Sequence, residues 1–170
     1  MKRSLLAAAG VLALSAGLAQ AEGALTFPVG EGEFNWESFE ALKATDLSGE
    51  QVTVFGPWLG PDQELVEKVL AYFAEATGAD VRYTGSDSFE QQIVVDAEAG
   101  SAPNVAVFPQ PGLVSDMAAR GFIAPLGSET ADWVRENYAA GDSWVDLSTF
   151  TGPDGNEDVF GLFYKVDVKS

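Results

Sequence analysis

GSAPNVAVFPQPGLVSDMAARGFIAPL, residues Gly100 to Leu126, holds a turn, a strand, a loop and a helix in succession. Ser101, Ala102, Pro103 and Asn104 form the turn. Val105 to Phe108 is a short apolar run, too short and too rich in β-branched residues for a helix. Pro109 and Pro111 end that strand, because proline donates no hydrogen bond to a ladder. Leu113, Val114, Met117 and Ala118 recur at helical spacing, and Gly121 follows as a left-handed stop. The stretch is a βα unit whose loop, Pro109-Gln110-Pro111-Gly112, lies at the carboxyl end of its strand. Open α/β sheets bind ligands at that end.

The same pattern extends upstream. Val52 to Phe55 is a buried strand, Gly56-Pro57-Trp58-Leu59-Gly60 a loop, and Pro61 suits a first helical turn. Leu65, Val66, Val69, Leu70 and Phe73 form one apolar stripe opposite Glu64, Glu67, Lys68 and Glu75. Gly78 stops this helix, and Val81 and Tyr83 mark the next strand. Asp87-Ser88-Phe89-Glu90 has capping-box spacing and opens a helix carrying Phe89, Ile93, Val94 and Ala97, closed by Gly100. A further helix is expected from Ser128 to about Tyr138 with Trp133 and Val134 inward. Thr151 to Asn156 is a strong turn between Phe150 and the apolar run Val159 to Tyr164, read as a hairpin's return strand or a strand entering the sheet. The fold class is therefore α/β, a mainly parallel sheet flanked by helices.

Lys2 and Arg3, the apolar run Leu5 to Leu18 and Ala19-Gln20-Ala21 together read as a secretory signal peptide, residues 1–21, cleaved after Ala21. A membrane span would need about 20 apolar residues. Cleavage leaves 149 of the 170 residues. In residues 22–50, Phe34, Trp36, Phe39 and Leu42 suggest a short amphipathic segment, read as an arm packing on the domain, and 51–170 read as the α/β lobe. Losing Lys2 and Arg3 takes the net charge from −17 to −19, a surface that repels nucleic acid and anionic lipid. With no histidine and no cysteine, imidazole and thiol catalysis, thiolate or imidazole metal ligation and disulfides are excluded. An ordinary hydrophobic core must hold the chain, and 46% hydrophobic residues can build one.

Pro103-Asn104-Val105, the strand and helix after it, and Gly121-Phe122-Ile123-Ala124-Pro125-Leu126 resemble the extracellular solute-binding proteins of ABC importers, in the sugar-binding branch. Asn104 stands where an aspartate is usual, and Ile123 where a leucine is. The Pro109–Gly112 loop and Tyr138-Ala139-Ala140-Gly141, with Trp144-Val145-Asp146-Leu147, are similar to the α-glucoside-binding subgroup. The resemblance implies a periplasmic-binding-protein-like lobe, a cleft closed by a second lobe, a neutral oligosaccharide as ligand, membrane permease subunits as partners, a periplasmic monomer and no cofactor. Such proteins are usually much longer, and the chain stops mid-pattern at Ser170. It is therefore expected to be an N-terminal piece holding most of the first lobe.

Site candidates sit at the strand ends. Trp58, in a Gly/Pro loop, can stack an indole on a pyranose or plug the loop against a helix. Asp62 and Gln63 open the following helix. Carboxylates there simply favour the helix dipole, yet they also make the end a poor anion site and a good hydroxyl acceptor. Ser86 and Asp87 lie at the second junction, where capping accounts for Asp87. Gln91 and Gln92 point to different faces, and the resemblance favours one of them, Gln91, toward the cleft. Gln110, stiffened by two prolines, either orients a neutral ligand or satisfies its own loop. Tyr164, in Gly161-Leu162-Phe163-Tyr164, matches the family's Gly-x-Pro-Tyr position with Phe163 replacing proline; it faces the cleft or packs in the sheet. Asp154-x-Asn156-x-Asp158 imitates a calcium loop, but Val159 and Lys165 occupy the positions that need glycine and glutamate, so a hairpin turn explains it. No metal site is expected.

Three functions remain: a sugar receptor that breaks no bond, the same fold taking a polyamine, an amino acid or a metal, or a secreted glycosidase with paired carboxylates. No acidic pair stands in a context that would separate two pKa values. The chain is expected not to be an enzyme.

Overall fold

The computed structural model describes residues 25–164; the leader expected at residues 1–21 and the end of the chain from Lys165 lie outside them. Three βα units build the body. Strand β1 (Gln51–Gly56) leads to helix α2 (Pro61–Thr77), β2 (Asp80–Gly85) to α3 (Phe89–Glu98), and β3 (Val105–Ala106) to α4 (Pro111–Ala119). The strands are parallel in the order β2-β1-β3, with Val54 beside Tyr83 and Val105, and Gly56 beside Gly85. The α/β expectation holds.

Residue chemistry accounts for these boundaries. Pro61 takes the first position of α2, and Gly78, left-handed at φ 75°, closes it with its N–H on the Ala74 carbonyl. Gly121 (φ 73°) ends α4: its N–H reaches the Ala118 carbonyl and the Phe122 N–H the Met117 carbonyl. Asn104 makes the join between β1 and β3. Its side-chain oxygen accepts the Thr53 N–H and hydroxyl, both at 2.9 Å, and its own N–H donates to the Thr53 hydroxyl at 3.0 Å.

One core fills the space between the sheet and helices α3 and α4: Phe55, Phe89, Ile93 and Met117 are buried together. Beyond it, α5 (Ser128–Asn137), α6 (Gly141–Ser148) and the antiparallel hairpin β4 (Thr149–Thr151) and β5 (Glu157–Val159) enclose a second core of Ala131, Val134, Val145 and Val159. Ahead of the sheet, α1 (Trp36–Leu42) is capped by Asn35, whose oxygen accepts the Ser38 N–H. Trp36 and Phe39 of α1 meet Tyr72 of α2. The Tyr72 hydroxyl bonds both the N–H and the carbonyl of Phe27, so the arm is pinned at two depths.

Several local expectations are corrected. The third strand is two residues long, not four, although the Val107 N–H still reaches the Phe55 carbonyl at 2.8 Å. Pro111 and Gly112 belong to α4, since proline at a first helical position starts a helix as readily as it ends a strand. Leu65 and Val69 face solvent, Val69 at 70% exposure; α2 uses Ala76, Thr77 and half-buried Val66, Leu70 and Phe73 instead. Trp133 is also outward, its ring edge-on to Tyr138 at 5.9 Å, while Val134 is buried. Asp87 does not cap α3: Ser88 is the capping residue, with no side-chain bond to the helix. The run Val159 to Tyr164 is not a strand beyond Val159; the return strand is Glu157–Val159, paired only with β4 among the described residues. The hairpin turn does explain Asp154, whose carboxylate accepts the N–H and side-chain amide of Asn156. Those bonds hold its carboxyl below the usual range.

Candidate functional site

Because β1, β2 and β3 are parallel, the loops that follow them leave from one edge of the sheet. Backbone bonds hold these loops side by side. The Ser86 N–H donates to the Gly56 carbonyl at 3.0 Å, and the Val107 N–H to the Phe55 carbonyl. With the first residues of the helices they lead into, residues 57–64, 86–92 and 107–112, these loops contain Asp62, Glu64, Asp87 and Glu90 and no lysine or arginine. These carboxylates oppose the attraction that the helix N-termini would otherwise offer an anion.

Trp58 is half-buried in the first of these loops. Its ring stands edge-on to Tyr164 with centroids 5.2 Å apart and planes at 79°. On another side lies Tyr83, at 6.4 Å and 32°. Tyr164 itself is 58% exposed, so the aromatic pair is open to solvent on one flank. The two members come from positions 106 residues apart, and only the fold brings them together.

The remaining expected site residues are placed less centrally. Ser86 touches the Trp58 loop through its backbone, while its hydroxyl accepts the Ser88 N–H at 3.1 Å. The Asp87 carboxylate accepts the Ser88 hydroxyl. Gln110 caps α4: its side-chain oxygen accepts the Gly112 N–H at 2.7 Å, and its amide donates to Glu90 at 3.4 Å. That bonding answers the loop's own needs and also ties the third loop to α3. Asp62 is exposed in the first turn of α2, and the Gln63 amide turns along the helix to Glu67 at 2.7 Å. Gln91 is exposed in the first turn of α3. Among the described residues, no hydrogen bond or ring contact links Asp62, Gln63, Asp87 or Gln91 to Trp58.

Two participants were missed in the sequence. Glu90 is the partner of Gln110, and Tyr83 is the residue under the Trp58 loop. The alternation Val81, Tyr83, Gly85 on one face of β2 was the available signal for Tyr83. Burial, opposed by the bond from the Trp58 backbone and aided by Glu67, pushes the Tyr83 phenol above its ordinary value. A shallow cavity of about 530 Å³ elsewhere, between Gly121–Pro125 and the β4-β5 hairpin, shares no residue with the strand-end loops.

Comparison with known proteins follows the same lines. Residues 56–167 match the bacterial extracellular solute-binding protein family. The alpha-glucosides-binding periplasmic protein AglE of Rhizobium meliloti (strain 1021) is 54% identical across the whole of this chain, which covers 39% of that relative. The osmoprotective compounds-binding protein GgtB of Synechocystis sp. (strain ATCC 27184 / PCC 6803 / Kazusa) is 40% identical over 74% of this chain and 28% of its own length. The chain thus spans well under half the length of these relatives. No helix among the described residues is long and apolar enough to cross a membrane. Parallel βα units, a family match that starts at the end of β1 and identity along the full chain agree: this protein belongs to the bacterial extracellular solute-binding proteins.

Proposed function

We propose that this chain supplies one wall of the ligand cleft in the periplasmic receptor of an ABC importer for neutral α-glucosides. The observation that carries the reading is the solvent-open Trp58–Tyr164 pair at the carboxyl end of the sheet. Aromatic faces take the apolar face of a pyranose, and the carboxylates of Asp62 and Asp87, the amides of Gln63, Gln91 and Gln110 and the hydroxyl of Ser86 offer hydrogen-bond partners for its hydroxyls. Identity to a relative named for α-glucoside binding supports the choice of sugar. No covalent step is involved: the protein binds, closes by hinge motion against a second lobe and presents the sugar to permease subunits. It works as a monomer in the periplasm after cleavage behind Ala21. Residues 22–50 act as an arm on the lobe that begins at residue 51.

The carboxylates of the same loops favour a second reading, a cationic ligand such as a polyamine held by charge and by the aromatic faces. Calorimetric titration of the whole polypeptide encoded by this reading frame, with maltose, trehalose and sucrose against putrescine, separates the two. Saturable heat with a glucoside and none with putrescine is expected. Heat with putrescine alone would replace the sugar reading, and release of reducing sugar would make the protein an enzyme.

A further inference from the structure

Trp58 lies in a loop with no regular backbone hydrogen bonding of its own. Between Gly56 and Pro61 the chain has neither ladder nor helix. One side chain supplies what is missing. The Tyr83 hydroxyl accepts the Trp58 N–H at 3.0 Å and donates to the Trp58 carbonyl at 3.2 Å. A hydroxyl has one hydrogen to give, and here it goes to the same residue whose N–H it accepts. Both backbone polar groups of Trp58 are therefore held by a single atom.

The surroundings are cut to fit this clamp. A Cβ on Gly85 would sit 2.0 Å from the Trp58 carbonyl oxygen, and a Cβ on Gly56 would sit 2.8 Å from the Tyr83 hydroxyl. Gly56 and Gly85 are partners in the β1-β2 register, so two absent side chains at one rung make the seat. The phenol, pushed up by burial, stays a neutral donor at physiological pH.

We propose that Tyr83 is a positioning residue of the sugar site: it grips the Trp58 backbone and so fixes how the indole is presented to the ligand. It acts through Trp58 and is assigned no ligand contact. The inference rests on the sugar-receptor reading for its functional part and on geometry alone for the clamp. Its contribution is preorganisation, since a loop ordered before binding does not have to be ordered by the ligand.

The test uses the whole encoded polypeptide and Tyr83→Phe, which removes one oxygen. Expected results are a rise of about tenfold in amide hydrogen exchange at Trp58, with Val54 and Ile93 unchanged, and sugar affinity about tenfold weaker by calorimetry. A role confined to stability would lower the melting temperature and leave the folded protein's affinity where it was; that result overturns the proposal. So does unchanged exchange at Trp58. Should the unaltered protein take no sugar, the sugar reading falls, and the Trp58 exchange alone decides whether Tyr83 holds the loop. If Tyr83→Phe fails to fold, Gly56→Ala, whose Cβ would meet the Tyr83 hydroxyl at 2.8 Å, displaces the clamp with Trp58 unaltered. It is expected to weaken sugar binding similarly, and native affinity in that variant overturns the proposal.

Discussion

Asn104 shows how much one side chain can settle. Three hydrogen bonds join it to Thr53, replacing ladder pairs that the two-residue β3 is too short to make. Asn104→Ala deletes the acceptor for the Thr53 N–H and hydroxyl. The expected cost is about 1 to 2 kcal/mol, because the site is open enough for water to take part of the load. In urea unfolding this is read as a lower midpoint at unchanged slope. Asn104→Asp keeps the acceptor oxygen and is expected to remain close to the native midpoint, in keeping with the aspartate usual at this position in the family. A midpoint as low as that of the alanine variant would show that the amide, not the oxygen, matters. The same local logic governs the site. Gln110 was legible as a stiffly held amide, and its use as a cap was one of the two roles open to it. Tyr83 was not legible as a clamp, because its partner is loop backbone, which has no sequence signature. The Trp58–Tyr164 contact was hidden for a simpler reason: nothing local couples positions 106 residues apart.

At the scale of elements, periodicity located α2, α3 and α4 and the strands before them. What it could not say is which flank of an apolar stripe meets the protein. Leu65 and Val69 belong to the stripe of α2 by spacing, yet both are exposed, whereas Ile93 and Phe89 of α3 are 1% exposed. Both helices carry an apolar stripe; the difference is that α3 lies over the sheet and against α4, while α2 packs on α1 and β2. Likewise α6, which begins Gly141-Asp142-Ser143 and is eight residues long, carries too few turns for its period to stand out. A paired substitution measures the distinction. Ile93→Ala leaves a cavity beside Phe55, Phe89 and Met117 and is expected to cost about 3 kcal/mol. Val69→Ala should lie within about 0.5 kcal/mol of the native protein. Equal losses in thermal or urea unfolding would mean that the Val69 face is covered after all.

The whole molecule carries a charge problem that its ion pairs do not solve. Nine basic residues against 26 acidic ones leave 17 negative charges uncompensated. The described ion pairs are Lys43 with Glu40, Arg82 with Asp80, Arg120 with Glu98 and Asp116, and Arg135 with Asp132 and Asp142. All are at the surface, where each contributes about 0 to 1 kcal/mol. Arg120, whose guanidinium also lies 4.4 Å over the Phe122 ring, ties the end of α4 to α3 and is the pair with most to hold. Repulsion among the excess carboxylates acts over longer distances. The screening length is about 30 Å in 10 mM salt, comparable to the protein itself, and about 8 Å at 150 mM. Salt therefore weakens two opposing effects unequally: a few short-range attractions lose a little, and many long-range repulsions are largely removed. The melting temperature is expected to rise between 10 and 150 mM sodium chloride, by on the order of 3 °C, the equivalent of about 1 kcal/mol for a chain of this size. A melting temperature that falls with salt would mean that the paired arginines outweigh the acidic excess.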